Sequence, residues 1–233
     1  MKAKIIATIG PSSIEKNILE NMYKEGMSIA RVNSAYGGKD QYEQIFNNLK
    51  DIDPKGDIKI LFDIKNDKYL NYCKEKNIEM IAISFTEGKD QIIKVRESIP
   101  NSFIISKIES VKGVQNYKEI LDYSDGIMVA RGDLSKAVNL EKVPPLQKKL
   151  TKDALIQSKL VIAATEMLLS MVVKKKPTNA EASDVANAVF DGVHAVMLSE
   201  ETAIGKNPVE SVNYMRRIVE EAEKWCLSNI CTI

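Results

Sequence analysis

The chain has 233 residues, of which 44% are hydrophobic, enough to bury the core of one large domain rather than two small ones. Its 33 basic and 32 acidic residues are interspersed and give a net charge of +1, so no basic face predicts a nucleic-acid or membrane partner. The cysteines at 73, 226 and 231 lack metal-ligand spacing, which favours reduced thiols in a cytoplasmic protein.

The first predicted element is a strand, Lys4–Ile9, whose apolar run is too short for a signal peptide or a membrane span. A helix is predicted next, because Leu19 and Met22 belong to one apolar stripe at helical spacing. We expect Ser13 to cap this helix and Gly26 to end it.

Short apolar runs alternate with longer amphipathic stretches along the chain, a pattern typical of repeated βα units around a parallel sheet. The predicted strands are Lys4–Ile9, Ser28–Asn33, Ile58–Ile64, Glu79–Phe85, Phe103–Ile108, Gly126–Ala130, Leu160–Ala164 and Ala195–Leu198. Eight such units predict a single α/β domain, a (β/α)8 TIM barrel, since closure removes both sheet edges. An open doubly wound sheet is the alternative, less favoured because residues 10–13 lack the glycines of a dinucleotide-binding turn.

Polar side chains collect where the predicted strands end, which is where barrel enzymes place their active sites. They are Arg31, Asn33, Asp63, Lys65, Ser84, Lys107, Glu109, Arg131, Asp133, Thr165, Glu166, Ser199, Glu200 and Glu201. Lys107 and Glu109 are two residues apart, so both would project from one face of a strand, with Asp133 arriving from the next strand. Two acids beside one lysine can hold a divalent metal and stabilise a developing anion. The structural alternative is that charged strand ends merely border water.

Seven ordered stretches resemble the catalytic barrel of the pyruvate kinase family, from the first strand to about Ala222. The stretches are 7–12 (ATIGPS), 30–33 (ARVN), 105–109 (ISKIE), 124–134 (SDGIMVARGDL), 164–168 (ATEML), 177–189 (PTNAEASDVANAV) and 197–203 (MLSEETA). Because so many motifs occur in the same order, the resemblance is specific. It implies a pyruvate-kinase-like barrel over residues 1–233.

The resemblance implies a Mg²⁺ (or Mn²⁺) cofactor and a catalytic lysine. Glu109 and Asp133 correspond to the carboxylates that hold the metal ion, whose preferred ligands are hard oxygens. Lys107 is similar to the lysine that neutralises the transferring phosphoryl group and the enolate oxygen.

The resemblance also implies substrate contacts. Thr165 is similar to a residue linked through water to proton delivery at the enolate, and Arg31 to an arginine that contacts phosphate. The backbone amides of Gly132 and Asp133 resemble the cradle of the substrate carboxylate. Ser84, at the end of the fourth predicted strand, is a further candidate substrate-binding residue. The implied ligand is phosphoenolpyruvate or a 2-oxo acid such as pyruvate.

The sequence departs from the family at the nucleotide and monovalent-cation sites. The family's lid domain follows the third strand, whereas here residues 65–70 lead almost directly into the next helix, so we expect no lid and weak nucleotide binding. Asn33 and Asp63 match two ligands of the monovalent-cation site, but Ala35 and Ile64 replace the other two. We expect K⁺ binding to be weak or lost. The sequence ends after the eighth helix, so we also expect no C-terminal allosteric domain.

Three functions are open on this sequence. The first is a minimal pyruvate kinase that converts phosphoenolpyruvate and ADP to pyruvate and ATP. The second is a Mg²⁺-dependent lyase, aldolase or decarboxylase acting through the enolate of a 2-oxo acid, and the third is a non-catalytic, metabolite-binding barrel. We favour enolpyruvate chemistry of the kinase family, expect impaired phosphoryl transfer, and leave open whether the protein is a homo-oligomer.

Overall fold

The structure is a computed structural model that describes residues 3–228. Its strands are β1 (Lys4–Thr8), β2 (Met27–Asn33), β3 (Lys59–Ile64), β4 (Met80–Ile83), β5 (Phe103–Ile108), β6 (Gly126–Ala130), β7 (Leu160–Ala164) and β8 (Ala195–Leu198). They form a closed barrel in the order β1 to β8, and the recorded pairings are parallel. The predicted (β/α)8 barrel is confirmed.

Helices connect the strands, as a parallel barrel requires. Within residues 3–228 they are α1 (Lys16–Lys24), α2 (Lys39–Ile52), α3 (Leu70–Glu75), α4 (Lys89–Ser98), α5 (Val111–Gln115), α6 (Tyr117–Tyr123), α7 (Arg131–Ala137), α8 (Val143–Ile156), α9 (Asn179–Phe190), α10 (Glu200–Ala203) and α11 (Pro208–Ser228). Short 3-10 helices lie at Asp67–Tyr69, Leu140–Lys142 and Leu169–Val172. No helix in this part of the chain is both long enough and apolar enough to cross a bilayer.

The strands follow the sequence pattern closely because a parallel strand covered on both faces is almost wholly apolar. Every residue of β6 and β8 is buried, and β5 to β8 begin and end at the predicted residues. The largest difference is in β4, which ends at Ile83 rather than Phe85. Phe85 leaves the strand with φ +49°, a left-handed conformation, and its N–H bonds to a side chain instead of the sheet.

The start of the first helix differs from the prediction. Glu15, not Ser13, is the residue before α1, and it makes no side-chain cap. The Ser13 hydroxyl is fully buried and accepts a hydrogen bond from the Gly10 N–H at 3.1 Å, so it closes the preceding turn. The helix end is as predicted: Gly26 follows the C-cap with φ +110°, a conformation in which a side chain would be strained.

Two compact units are distinguished within the chain. The first comprises the described residues of Met1–Val32, Tyr36–Lys59 and Thr165–Ile233, and here α11 packs against α9 and α1. The second comprises Asn33–Ala35 and Ile60–Ala164, and it contains the continuous parallel ladder from β3 to β7.

The expectation of three reduced cysteines is wrong. Cys226 is disulfide-bonded, whereas Cys73 is a free, buried thiol whose pKa burial raises to about 12. Cys231 lies outside the described residues. An odd count of cysteines argues against a chain-wide disulfide framework, but it does not exclude a single disulfide.

A capping box fixes the start of α9. The Thr178 hydroxyl accepts from the Glu181 N–H at 3.2 Å, and the Glu181 carboxylate accepts from the Thr178 N–H at 2.7 Å. The same carboxylate accepts from the N–H and the hydroxyl of Ser170, both at 2.6 Å. Glu181 therefore joins α9 to the 3-10 helix at Leu169–Val172, which is a structural role.

Replacing the cap should lower stability without altering the fold. We expect Thr178→Ala to reduce the free energy of unfolding by about 1 kcal/mol, because a helix N-terminal N–H loses its acceptor. Thr178→Ser keeps a hydroxyl at the same place and should stay within about 0.5 kcal/mol of the wild type. Urea denaturation of the three proteins measures both values, and equal losses in the two variants would contradict the capping role.

Candidate active site at the strand ends

The side chain of Lys107 lies at the centre of a buried polar cluster in the second unit. Its Nζ is 3.0 Å from Asp63 Oδ2, 2.9 Å from Glu109 Oε1 and 3.1 Å from Ser84 Oγ. An ammonium group has three N–H donors and no acceptor, so each proton has a partner. Lys107, Asp63 and Glu109 are 6%, 0% and 2% exposed. The ammonium is thus fixed in position and largely excluded from water.

A further set of hydrogen bonds holds the partners of this lysine. The Ser84 hydroxyl donates to Asp63 Oδ1 at 2.9 Å, so towards Lys107 it acts as acceptor. Glu109 Oε2 accepts from the Phe85 N–H at 2.7 Å. Both oxygens of each carboxylate therefore accept at least one hydrogen bond. Such a fully bonded network is rigid, which is what a preorganised site requires.

Strand register explains why these residues meet. Ala82 of β4 pairs with Asp63 of β3 on one side and with Ile105 of β5 on the other. Two residues further along, Ser84 and Lys107 point to the same face as Ala82 and Ile105, because side chains alternate along a strand. Glu109 continues this face at the end of β5. The pairing of Lys107 with Glu109 agrees with the i, i+2 prediction.

The cluster carries more negative than positive charge when both acids are ionised. Burial raises the pKa of Glu109, and the nearby Asp63 carboxylate acts in the same direction. The Lys107 ammonium and the Phe85 N–H lower this pKa but do not offset the effect of burial. Two carboxylates beside one ammonium leave an uncompensated negative charge that a cation could balance.

Sequence reasoning missed the second carboxylate of the lysine. The acid that contacts Lys107 with Glu109 is Asp63, which the sequence had associated with a monovalent-cation site, rather than Asp133. A signal was present, since Asp63 stands inside the apolar run 61–64, where a buried acid needs a partner. What the sequence lacked was the strand register that brings β3 to Lys107.

Asp133 and Gly132 lie in the first turn of α7, directly after β6. Ile108 of β5 pairs with Val129 of β6, so Glu109 and Asp133 both extend beyond the same end of this strand pair. The Asp133 carboxylate is 3.0 Å from Lys136 Nζ, and its side chain is 42% exposed. Asp133 is therefore more accessible than Glu109 and is not bonded to the Lys107 cluster.

Asn33 takes part in a local turn. Its Oδ1 accepts from the Ala35 N–H at 3.1 Å, an interaction that asparagine commonly makes with the backbone two residues on.

Among residues 3–228 no group of three or more His, Cys, Asp or Glu side chains is arranged to hold a metal ion.

The first unit contains Arg31 and Thr165. Arg31 is 5% exposed, and its Nη1 donates to the Thr8 hydroxyl at 2.8 Å. Thr165 and Glu166 follow β7 with φ values of +66° and +54°. A β-branched residue in this left-handed region is strained by about 1–3 kcal/mol, and such strain clusters at functional sites.

Glu201 is one of several acids that follow β8, and the sequence alone predicts no separate role for it. In the structure its carboxylate joins two loops. Its Oε1 accepts from the Leu168 N–H at 3.0 Å and its Oε2 from the Ser199 N–H at 2.7 Å. The side chain is fully buried, and burial raises its pKa above the ordinary 4.5. Glu201 thereby ties the segment that contains Thr165 to the end of β8.

Together these features define a class: a (β/α)8 barrel with a buried lysine–carboxylate cluster at the carboxyl ends of its strands. The model of the pyruvate kinase barrel domain matches residues 1–68 and 57–212. The chain therefore belongs to the pyruvate kinase family.

Curated relatives support this membership. Pyruvate kinase of Thermococcus litoralis is 30% identical over 333 aligned positions, which cover 96% of this chain and 70% of the relative. Pyruvate kinases of Dictyostelium discoideum and Clostridium perfringens are 50% and 46% identical, over 66% and 64% of this chain. In these two comparisons the match covers only 31% and 32% of the relative's length.

The buried Glu201 predicts a pH-dependent stability. Because its pKa is raised in the folded protein, the folded state keeps a proton that the unfolded chain loses near pH 4.5. The stability from this proton is present below pH 4.5 and is lost as pH rises towards the folded-state pKa. Urea denaturation between pH 4 and 8 should show this decline in the wild type.

Glu201→Gln removes the titrating group, so we expect its unfolding free energy to lack this decline with pH. Glutamine also has one acceptor for two N–H donors, which should lower stability by about 1–3 kcal/mol throughout. Glu97→Gln, at an exposed position of α4, should keep the wild-type pH dependence. Identical pH profiles for wild type and Glu201→Gln would contradict the assignment.

Proposed function

We propose that this protein binds pyruvate or phosphoenolpyruvate together with Mg²⁺ and stabilises the enolate of pyruvate. The observation that carries the proposal is the buried Lys107 ammonium, held by Asp63, Glu109 and Ser84 within 3.1 Å. A positive charge held in place before the reaction stabilises a developing oxyanion by its electric field, which is a large contribution to many enzymatic rates.

The donor set fits a Mg²⁺ ion that is completed by its substrate. Mg²⁺ is usually bound by one or two protein carboxylates together with water and substrate oxygens, so three preassembled side chains are not needed. Glu109 and Asp133 extend from paired strands, and the Lys107 cluster has excess negative charge. When bound, Mg²⁺ would supply Lewis acidity towards the 2-oxo group.

The other assigned roles follow from family membership. We assign proton delivery through water to Thr165, phosphate contact to Arg31, and the carboxylate cradle to the amides of Gly132 and Asp133. The last role is supported by the position of both residues in the first turn of α7, directly after β6. We assign two roles to Ser84: its hydroxyl orients Lys107, and the residue contacts the substrate.

We propose further that phosphoryl transfer to ADP is impaired in this protein. Residues 65–79, between β3 and β4, form only a 3-10 turn and the short helix α3. The alignment with the Thermococcus litoralis relative spans 333 positions although this chain has 233 residues, which supports the loss of an inserted lid. A lid closes the reaction centre to water, so its loss should impair transfer to ADP more than enolate formation.

The monovalent-cation requirement should also be relaxed. Ala35 and Ile64 stand at two of the expected ligand positions and offer no side-chain oxygen. We therefore propose Mg²⁺ or Mn²⁺ as the cofactor and no dependence on K⁺.

The second candidate function is that of a lyase, aldolase or decarboxylase of a 2-oxo acid. It is favoured by the short segment after β3.

Exchange of the pyruvate methyl protons with deuterated water tests enolate formation. We expect Mg²⁺-dependent exchange by the wild type, measured by proton NMR, and a loss of about 10²-fold or more in Lys107→Met, because the fixed charge is removed. Lys24→Met changes an exposed lysine and should exchange like the wild type. Exchange no faster than in buffer with Mg²⁺ would favour a non-catalytic barrel.

A coupled assay for ATP formation from phosphoenolpyruvate and ADP tests the kinase activity. We expect ATP to form at least about tenfold more slowly than methyl protons exchange, because phosphoryl transfer depends on closure over the nucleotide. The same enzyme preparation and Mg²⁺ concentration serve both assays. ATP formation at the rate of exchange would show that the protein is a complete kinase without a lid of its own.

A further inference from the structure

We infer that Thr8 is a positioning residue for Arg31, and that its hydroxyl helps to aim the guanidinium at the phosphoryl group of the substrate. The inference rests on the proposed function, because the phosphoryl contact of Arg31 is part of that proposal. It concerns a residue of β1 to which neither the motifs nor the comparisons give a role.

The hydrogen bonds of the Thr8 hydroxyl have a defined direction. Thr8 Oγ1 is 2.9 Å from the Leu198 carbonyl oxygen, to which only the hydroxyl can donate. Its single proton is thereby used, so towards Arg31 Nη1, at 2.8 Å, it can only accept. Thr8 and Arg31 are each 5% exposed. Water therefore has little access with which to replace either bond.

The backbone of Thr8 is fixed as well. Its carbonyl oxygen accepts from the Thr202 hydroxyl at 2.9 Å, and Thr8 pairs with Arg31 in the ladder of β1 and β2. One residue after Thr8, the Ile9 N–H donates to the Arg31 carbonyl oxygen at 2.9 Å. Thr8 is thus held through its backbone by β2 and α10 and through its hydroxyl by β8, so the acceptor for the guanidinium has a fixed position.

The consequence is specific to ligands that carry a phosphoryl group. An arginine placed correctly gains directional, charge-assisted bonds with phosphate oxygens, whereas a misdirected one keeps only part of this gain. Phosphoenolpyruvate has a phosphoryl group, and oxalate, a planar dianion similar to the pyruvate enolate, has none. Loss of the Thr8 hydroxyl should therefore weaken binding of the first ligand and leave that of the second unchanged.

Isothermal titration calorimetry with saturating Mg²⁺ tests this split. In Thr8→Val, which has nearly the same shape without the hydroxyl, we expect the Kd for phosphoenolpyruvate to rise about tenfold, equivalent to about 1.4 kcal/mol. The Kd for oxalate should stay within twofold. Thr8→Ser restores the hydroxyl and should return the phosphoenolpyruvate Kd to within about threefold of the wild-type value.

A double-mutant cycle with Arg31→Met locates the effect. If Thr8 acts through Arg31, the double variant should bind phosphoenolpyruvate no more weakly than Arg31→Met alone. Should Thr8→Val fail to fold, Thr8→Ala also removes the hydroxyl and allows the same comparison. Thermal unfolding of each variant shows whether it is folded at the titration temperature.

Two results would overturn the inference: an unchanged phosphoenolpyruvate Kd in Thr8→Val, or an equal loss for oxalate, which would indicate a merely structural role. Additive losses in the double variant would also count against it. A wild-type protein that binds neither ligand would overturn the proposed function, and the inference with it. Because that failure is visible before any substitution is made, the two cases are distinguishable.

Discussion

The structure depends on one buried interaction, the contact of the Lys107 ammonium with two carboxylates and a hydroxyl. Burying an ammonium among apolar strands is unfavourable unless each of its protons has an acceptor. Asp63, Glu109 and Ser84 come from the ends of three consecutive strands, so the bonds form only when β3, β4 and β5 are in register. The same arrangement that satisfies the lysine also fixes a positive charge at the carboxyl ends of the strands.

Each compact unit has its own network of buried polar contacts. In the second unit Lys107, Asp63 and Glu109 are buried and bonded to one another, whereas the Asp133 side chain is accessible. In the first unit Arg31 and the segment that begins at Thr165 are held by hydrogen bonds from neighbouring side chains. Thr8 holds the guanidinium, and Glu201 holds the strained segment after β7. In both units, buried polar side chains thus fix the positions of the strand-end residues.

The sequence was sufficient for the fold and for the pairing of Lys107 with Glu109, because both follow from local periodicity. Parallel strands buried on both faces are apolar throughout, and residues two apart on a strand share a face. It was insufficient for Asp63, Thr8 and Glu201, whose roles depend on which strand lies beside which. The Ser13 cap failed for a related reason, since its hydroxyl bonds to Gly10 in a turn rather than to the helix.

We propose that the fixed Lys107 charge and a Mg²⁺ ion held by Glu109 and Asp133 together stabilise the enolate of the substrate. A crystal structure with Mg²⁺ and oxalate tests it most directly. The account predicts an ion that bridges Glu109 and Asp133, with an oxalate oxygen within hydrogen-bonding distance of Lys107 Nζ. An ion bound elsewhere, or a Lys107 that keeps its three protein partners while oxalate lies apart from it, would contradict the account.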